Sequence, residues 1–288
     1  MTQPYTTLVE PQVLGAHIGN PKWVVLDCRF VLSEPEAGRE DYTLGHLPGA
    51  QYADLEHDLS GPRVKGSGRH PLPTASTFQA TLGRWGITPD CQVVAYDEAS
   101  SVYASRLWWM LRSFCGHKAV AVLNGGLHAW QRLGLPVTEE LPRARSAPPY
   151  PAYVPAQGAW VDTDVVADVV AGRVPRILID ARGPERFRGT VEPLDPVAGH
   201  IPGAINRPFG KNLCADDTFC SAESLRQAFG DLLGNRGSEE VVHYCGSGVS
   251  ACHNILAMEI AGLGTTTLYP GSWSAWVSDT MRPVVRES

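Results

Sequence analysis

Cys245 sits where a thiol could act as a nucleophile. The stretch VVHYCGSGVSACHNILAMEIAG places four residues of buried-strand character, 241–244, directly before it, followed by a small Gly-rich loop, 246–250, and an apolar-periodic helix beginning near Ala251. A cysteine at that junction faces the first turn of the helix, where unpaired backbone N–H groups and the helix dipole stabilise a thiolate and raise its nucleophilicity at neutral pH. Gly246 and Gly248 let the loop curl, so that the N–H groups of Gly246, Ser247, Gly248, Val249 and Ser250 can turn toward one anionic atom, as a backbone nest does. Such a cradle needs no metal. The competing reading is a small buried residue at a strand end, because free cysteine is among the most buried residue types.

The rest of the chain bears on that choice because it is written twice. VVLDCR (24–29), GHLPGA (45–50), VVAYD (93–97) and GGLHAWQRLGLPV (125–137) recur in the same order about 150 residues later, as ILIDAR (177–182), GHIPGA (199–204), VVHYC (241–245) and GSWSAWVSDTMRPV (271–284). Four ordered blocks at near-constant spacing indicate a duplicated domain. In the first copy Asp97 takes the position of Cys245. One copy has kept the nucleophile and the other has lost it, as expected when only one of two duplicated sites works. Between them, EELPRARSAPPYPAYVPAQ (139–157) carries repeated prolines, which fix φ, remove donors and favour an extended linker. The expected division is a silent domain at 1–138, the linker at 139–157, and a catalytic domain at 158–288.

Within each copy, short β-branched runs alternate with longer amphipathic stretches. Residues 103–115 and 251–262 have the apolar spacing of helices. Short apolar strands separated by helices predict an α/β fold, each domain a small parallel sheet flanked by helices. The Pro-Gly pairs of GHLPGA and GHIPGA predict turns that launch a short strand at the following Ala, with His46 and His200 as turn or packing residues. Trp108, Trp109, Trp130, Trp273 and Trp276 are expected in core or domain-interface packing.

A chain of 288 residues, 43% hydrophobic and 19% charged, has the composition of a globular protein of about two domains. A formal net charge of -6 opposes a broad phosphate-binding surface, so no nucleic-acid partner is expected. The opening MTQPYTTLVEPQVL lacks a basic segment followed by an apolar core, and no apolar run is long enough to span a bilayer; no membrane association and a cytoplasmic location are expected. Seven scattered cysteines without a CxxC pair suggest neither a disulfide framework nor a zinc site, and reduced thiols are expected. CGSGVS lacks the Lys of a P-loop and the GxGxxG spacing, so no nucleotide or other cofactor is implied.

The combination DAR, GHIPGA, YCGSGVSA and GSWSAW resembles the tandem rhodanese family, over nearly the whole chain through both copies. The resemblance implies two rhodanese-like domains, the first catalytically silent and the second carrying the cysteine, with the active site in the cleft between them. The loop Cys-Gly-Ser-Gly-Val-Ser is similar to that of the 3-mercaptopyruvate sulfurtransferase branch, whereas thiosulfate-preferring relatives place bulky basic residues after the cysteine. It implies sulfur transfer from a small donor to a thiol, cyanide or thioredoxin-like acceptor through a Cys245 persulfide. Arg186, in PERFRG, matches the arginine that holds the substrate carboxylate, a task suited to the guanidinium fork. Ser247, His70 in RHPLP and Glu56 in ADLEHD match a Ser-His-carboxylate relay, with Glu where the branch usually has Asp. The second arginine of the branch is missing, because VEPLDPVAGHIPG has Leu194 and Asp195 there; Arg188 or Arg207 could replace it.

Two other function classes compete. Cysteine phosphatases share the strand, Cys loop and helix, but end the loop in an arginine that grips phosphoryl oxygens, and this chain has Ala251 there. A non-enzymatic sulfur-relay or partner-binding scaffold suits duplicated domains in general, and the retained Cys245 argues against it. Cys252, inside the expected helix, reads as buried packing rather than as a disulfide partner for Cys245.

Overall fold

The apolar runs repeated in the sequence become parallel strands. The computed structural model describes residues 3–98, 100–153, 155 and 158–287, and the chain divides into two compact units. In the first, β1 (Leu8–Val9), β2 (Trp23–Asp27), β3 (Gln51–Tyr52), β4 (Gln92–Tyr96) and β5 (Val120–Leu123) form a sheet in the order β1-β5-β4-β2-β3, all pairs parallel. It is flanked by α1 (Pro11–Gly15), α2 (Ala37–Leu44), α3 (Ala75–Arg84), α4 (Val102–Trp109) and α5 (Gly126–Arg132). In the second, β6 (Ile177–Asp180), β7 (Ile205–Asn206), β8 (Val241–Tyr244) and β9 (Thr267–Leu268) pair in parallel in the order β7-β6-β8-β9. Its helices are α6 (Thr163–Val170), α7 (Pro184–Arg188), α8 (Ala222–Leu233), α9 (Ser250–Ile260) and α10 (Ser272–Trp276). Trp160, bridged in parallel to Leu268, stands in the second sheet where β1 stands in the first. Both units are therefore small α/β domains with one topology.

The DCR and DAR motifs are structural. Each Asp ends an inner strand, β2 or β6, and the Arg two residues on turns back onto it. Arg29 Nη2 donates to Asp27 Oδ2 at 2.7 Å and to the carbonyl of Gly45 at 2.6 Å; Arg182 Nη2 donates to Asp180 Oδ2 at 2.7 Å and to the carbonyl of Gly199 at 2.6 Å. A buried ion pair thus pins the first residue of each GHxPGA motif. Gly49 and Gly203 take the positive φ of the expected turns, and the strands begin at Gln51 and Ile205, one residue after the alanine. His46 stacks on Tyr42 and His200 on Phe187, each ring pairing through Nδ1 with that residue's carbonyl at 2.8 Å, so both are packing residues.

Several expectations change. The stretch 103–115 is α4 followed by a π-helical turn, Met110–Phe114. The stretch 251–262 becomes α9, but every residue from Ala251 to Met258 is buried, because this helix packs on β8, β9 and α8. It is a central helix rather than an amphipathic one. The five tryptophans, by contrast, are buried core residues as expected. The units are not contiguous in sequence: residues 62–72 belong to the second and 214–219 to the first. The proline-rich segment runs with the first unit up to Pro155, with Arg145 Nη1 donating to the carbonyl of Trp23 at 2.9 Å. Residues 154, 156 and 157 of the expected linker lie outside the described residues.

The expectation of uniformly reduced thiols is corrected. Cys214 and Cys220 are disulfide-bonded, and the other five cysteines are free. In the backbone around them, Cys214 N–H donates to the carbonyl of Thr218 at 2.8 Å and Cys220 N–H to that of Asn212 at 2.9 Å. No helix among the described residues is long and apolar enough to cross a membrane.

Candidate active site

Cys245 follows the last residue of β8 and precedes α9 by a four-residue loop. The N–H of Gly248 donates to its Sγ at 3.1 Å. That bond needs a sharp reversal: Gly248 has φ +79°, and a Cβ there would lie 2.5 Å from the carbonyl oxygen of Pro270, so only glycine fits. The chain entering α10 clamps the same loop. Ser272 Oγ accepts the N–H of Cys245 at 3.1 Å, while the N–H groups of Trp273 and Ser274 donate to the carbonyls of Cys245 and Gly246 at 2.9 and 3.0 Å. Cys245 is only 2% exposed, yet its sulfur faces a backbone donor rather than an apolar core. Cys252 is fully buried in α9, with Sγ 3.4 Å from the carbonyl of Gly248, in the packing role expected of it.

Two guanidinium groups converge beside this loop. A Cβ on Gly246 would lie 2.8 Å from Nη2 of Arg69 and 3.4 Å from both Nη1 and Nη2 of Arg186, so both side-chain ends lie against the backbone of the cysteine loop. Arg186, from α7, makes a fork onto Glu192, with Nε to Oε2 at 3.2 Å and Nη2 to Oε1 at 2.7 Å, and reaches Asp195 Oδ2 at 3.3 Å. Arg69 Nη1 donates to the other oxygen of Asp195. Glu192 also accepts from Arg182 Nη1 at 3.2 Å and from the N–H groups of Leu194 and Asp195, which fixes the loop carrying both carboxylates. Next to Arg69, His70 Nδ1 lies 2.7 Å from Ser247 Oγ, and both residues are buried. Anion-binding groups, a hydroxyl paired with an imidazole, and a thiol under a backbone donor thus gather around the Cys245 loop.

Comparison with known proteins agrees with this arrangement. The family model described as Rhodanese-like domain matches residues 10–133 and 164–279. The chain belongs to the rhodanese family. It is 44% identical over 283 residues to a probable 3-mercaptopyruvate sulfurtransferase of Pseudomonas aeruginosa, covering 96% of this chain and 97% of that one. It is 34% identical to the thiosulfate sulfurtransferase of Rattus norvegicus, covering 94% and 92%. Among solved structures, a 3-mercaptopyruvate sulfotransferase, SseA from Escherichia coli, superposes with a TM-score of 0.76 at 31% identity, covering 94% of this chain and all of that one. This rhodanese is accordingly a sulfurtransferase.

The first rhodanese domain preserves the clamp around a different residue. Leu127 and His128 donate to the carbonyls of Asp97 and Glu98, as Trp273 and Ser274 do to Cys245 and Gly246. The Asp97 carboxylate then accepts the N–H groups of Ser101, Tyr103 and Ala104 at 2.8, 3.0 and 3.3 Å. The side chain fills its own cradle. Burial pushes its carboxyl up to about 6, although these three donors pull the other way.

Of the residues expected in the rhodanese site, Cys245, Gly246, Ser247, Gly248, Arg186 and His70 come together, and Val249 and Ser250 complete the turn into α9. Glu56 lies in the first unit, half-buried, with its N–H donating to Asp54 Oδ1 at 2.8 Å. Neither expected substitute for the second arginine joins Arg186. Arg188 pairs with Glu185 at 3.5 Å, and Arg207 is tied to Lys211 and Asn212. Arg69 does instead. A single arginine in sequence reads as surface charge, and its only signal was adjacency to His70. Ser272 and Ser274 stood in the repeated GSWSAW block, where they read only as part of the repeat.

Proposed function

We propose that this enzyme takes sulfur from 3-mercaptopyruvate as a Cys245 persulfide and passes it to a thiol, cyanide or thioredoxin-like acceptor. The observation that carries the reading is the Gly248 N–H aimed at Cys245 Sγ beside two guanidinium groups, because it offers a place for sulfur anion and donor carboxylate together. Arg186 binds the donor carboxylate. The Cys245 thiolate attacks the donor's thiol sulfur, a new S–S bond forms, the donor's C–S bond breaks, and its electron pair leaves as the enolate of pyruvate. Ser247, paired with His70, manages the mercapto proton, which ends on the enolate carbon to give pyruvate; Glu56 orients His70. An acceptor thiolate or cyanide then attacks the outer sulfur and releases Cys245 as thiolate, which gives ping-pong kinetics.

The first domain is silent, since Asp97 supplies a carboxylate where the second supplies a thiol. The small, uncharged Gly246 and Ser247 favour mercaptopyruvate over thiosulfate, and the net charge of -6 argues against nucleic acid as a partner. A cytoplasmic location would keep the Cys245 nucleophile reduced, while the disulfide-bonded Cys214 and Cys220 are the feature that counts against it. Mass spectrometry after donor treatment should find one added sulfur on Cys245, and kcat/KM should be higher for mercaptopyruvate than for thiosulfate. Turnover that survives Cys245→Ala would refute the mechanism, and a strong thiosulfate preference would overturn the donor.

A further inference from the structure

We infer that Ser274 is a positioning residue for the reaction: its hydroxyl fixes the segment that carries His70 and so sets the contact between His70 and Ser247. The inference rests on that pair handling the proton in the proposed sulfur transfer. His70 comes from segment 62–72 of the second unit, which forms neither helix nor strand, so its place over the cysteine loop has to come from ties to its surroundings. Ser274 supplies one to each side of the contact. Its Oγ accepts the N–H of Arg69 at 3.0 Å, one residue before His70, and its own N–H donates to the carbonyl of Gly246 at 3.0 Å, one residue before Ser247. A single residue of α10 therefore sets both backbones from which the 2.7 Å contact between His70 Nδ1 and Ser247 Oγ is made.

The hydroxyl is itself held, because it donates to the carbonyl of Gly271 at 3.3 Å and keeps its lone pairs for Arg69. Gly68, at φ +82°, brings the segment close enough for this bond: a Cβ there would lie 2.6 Å from the carbonyl oxygen of Gly271 and 3.0 Å from Ser274 Oγ. The guanidinium of Arg69 is anchored elsewhere, on Asp195, so the Ser274 hydroxyl fixes the path of the chain rather than the charge. The duplication separates the two halves of this role. In the first domain the position of Ser274 is taken by His128, whose N–H donates to the carbonyl of Glu98 at 3.0 Å as that of Ser274 does to Gly246. Its side chain lies against Glu98 instead, with Nε2 3.4 Å from Oε1. The silent domain thus keeps the backbone clamp, and the hydroxyl that reaches the His70 segment belongs to the domain with the thiol. Reacting groups gain from being held by rigid elements, and a displacement of about 1 Å can cost up to 10²-fold in rate.

The test uses the full chain. In rapid-mixing measurement of persulfide formation from mercaptopyruvate, Ser274→Ala should lower the limiting rate about tenfold and leave the half-saturating donor concentration within about twofold of wild type, because both arginine side chains keep their anchors. In a His70→Ala background the same substitution should cost less than about twofold, since the group it positions is gone. Alkylation of Cys245 by neutral iodoacetamide should stay within about twofold of wild type in Ser274→Ala, which retains the N–H to Gly246. An equal loss in both backgrounds, a loss below about twofold in the wild-type background, or slowed alkylation would overturn the inference. A readout without any donor separates it from the reaction itself. The ring-nitrogen NMR signals of His70, identified by their loss in His70→Ala, should move in Ser274→Ala in the direction that Ser247→Ala moves them. Unmoved signals would overturn the positioning role. Moved signals in a protein that forms no persulfide would refute the proposed transfer alone and leave Ser274 as the residue that positions His70.

Discussion

Ser272 holds the backbone of Cys245 from a conformation serine seldom adopts. Its Oγ accepts the Cys245 N–H at 3.1 Å and donates to the carbonyl of Tyr269 at 2.8 Å, with φ at +52°. The first-domain counterpart, Gly126, has φ +58° and reaches it without a side-chain penalty. A left-handed non-glycine residue costs on the order of 1–3 kcal/mol, which the two hydrogen bonds offset. Ser272→Ala keeps the strain and strips the buried N–H of its partner, so it should lower unfolding free energy by about 2 kcal/mol, with Ser272→Gly losing less. Urea titration of the two variants checks the order, and the reverse order would show that φ is not strained.

The 2.7 Å contact between His70 and Ser247 predicts that the two act as a unit. His70→Ala and Ser247→Ala should each slow persulfide formation from mercaptopyruvate by roughly 10²-fold or more, and the double variant should be no slower than the worse single one. Rapid-mixing measurement of the first half-reaction isolates this step. Additive losses would mean that the residues act independently.

Removing Arg182 leaves Asp180 charged and buried, and frees the carbonyl of Gly199. Breaking a buried pair from one side costs about 3–5 kcal/mol, so Arg182→Ala should be severely destabilised, and Arg29→Ala should do the same to the first domain. Limited proteolysis should then cut within the domain carrying the substitution. Equal protease resistance of wild type and both variants would contradict the locking role.

His243 predicts an acid sensitivity of defined sign. It is fully buried on β8, with Nε2 3.3 Å from Met258 Sδ, and burial pushes it from 6.5 down to about 3. The unfolded chain binds this proton below 6.5 and the folded chain does not until about 3, so stability is complete above 6.5 and falls as pH drops through that window, by about 1.4 kcal/mol per pH unit. Asp97, raised to about 6, contributes with the opposite sign between 3.8 and 6. The difference between wild type and His243→Leu isolates the histidine, because Asp97 is common to both. Parallel stability-pH curves for the two proteins would show that His243 is not the source.

The disulfide can be counted. Thiol titration of the denatured protein should give five groups before reduction and seven after. Seven before reduction would mean that Cys214 and Cys220 are open.

Much of this protein is legible locally. β8, Cys245, the glycines and α9 are contiguous, and their signals are strand character, turn chemistry and helical period, properties of neighbouring residues that need no knowledge of the rest of the fold. The repeat added the topology, since two copies of one pattern must solve the same packing problem. Asp97 facing three N–H groups follows the same local rule.

What the tertiary structure decided are meetings between distant segments. Arg69 and Asp195 are 126 residues apart and His70 and Ser247 are 177 apart, and nothing periodic links either pair. Arg69 becomes a candidate ligand-binding residue only because segment 62–72 is packed against the start of α10. Local chemistry selects the strand, loop and helix that present a thiol. Which charges surround it depends on side-chain packing across the whole domain, where each contact is settled by all the others at once.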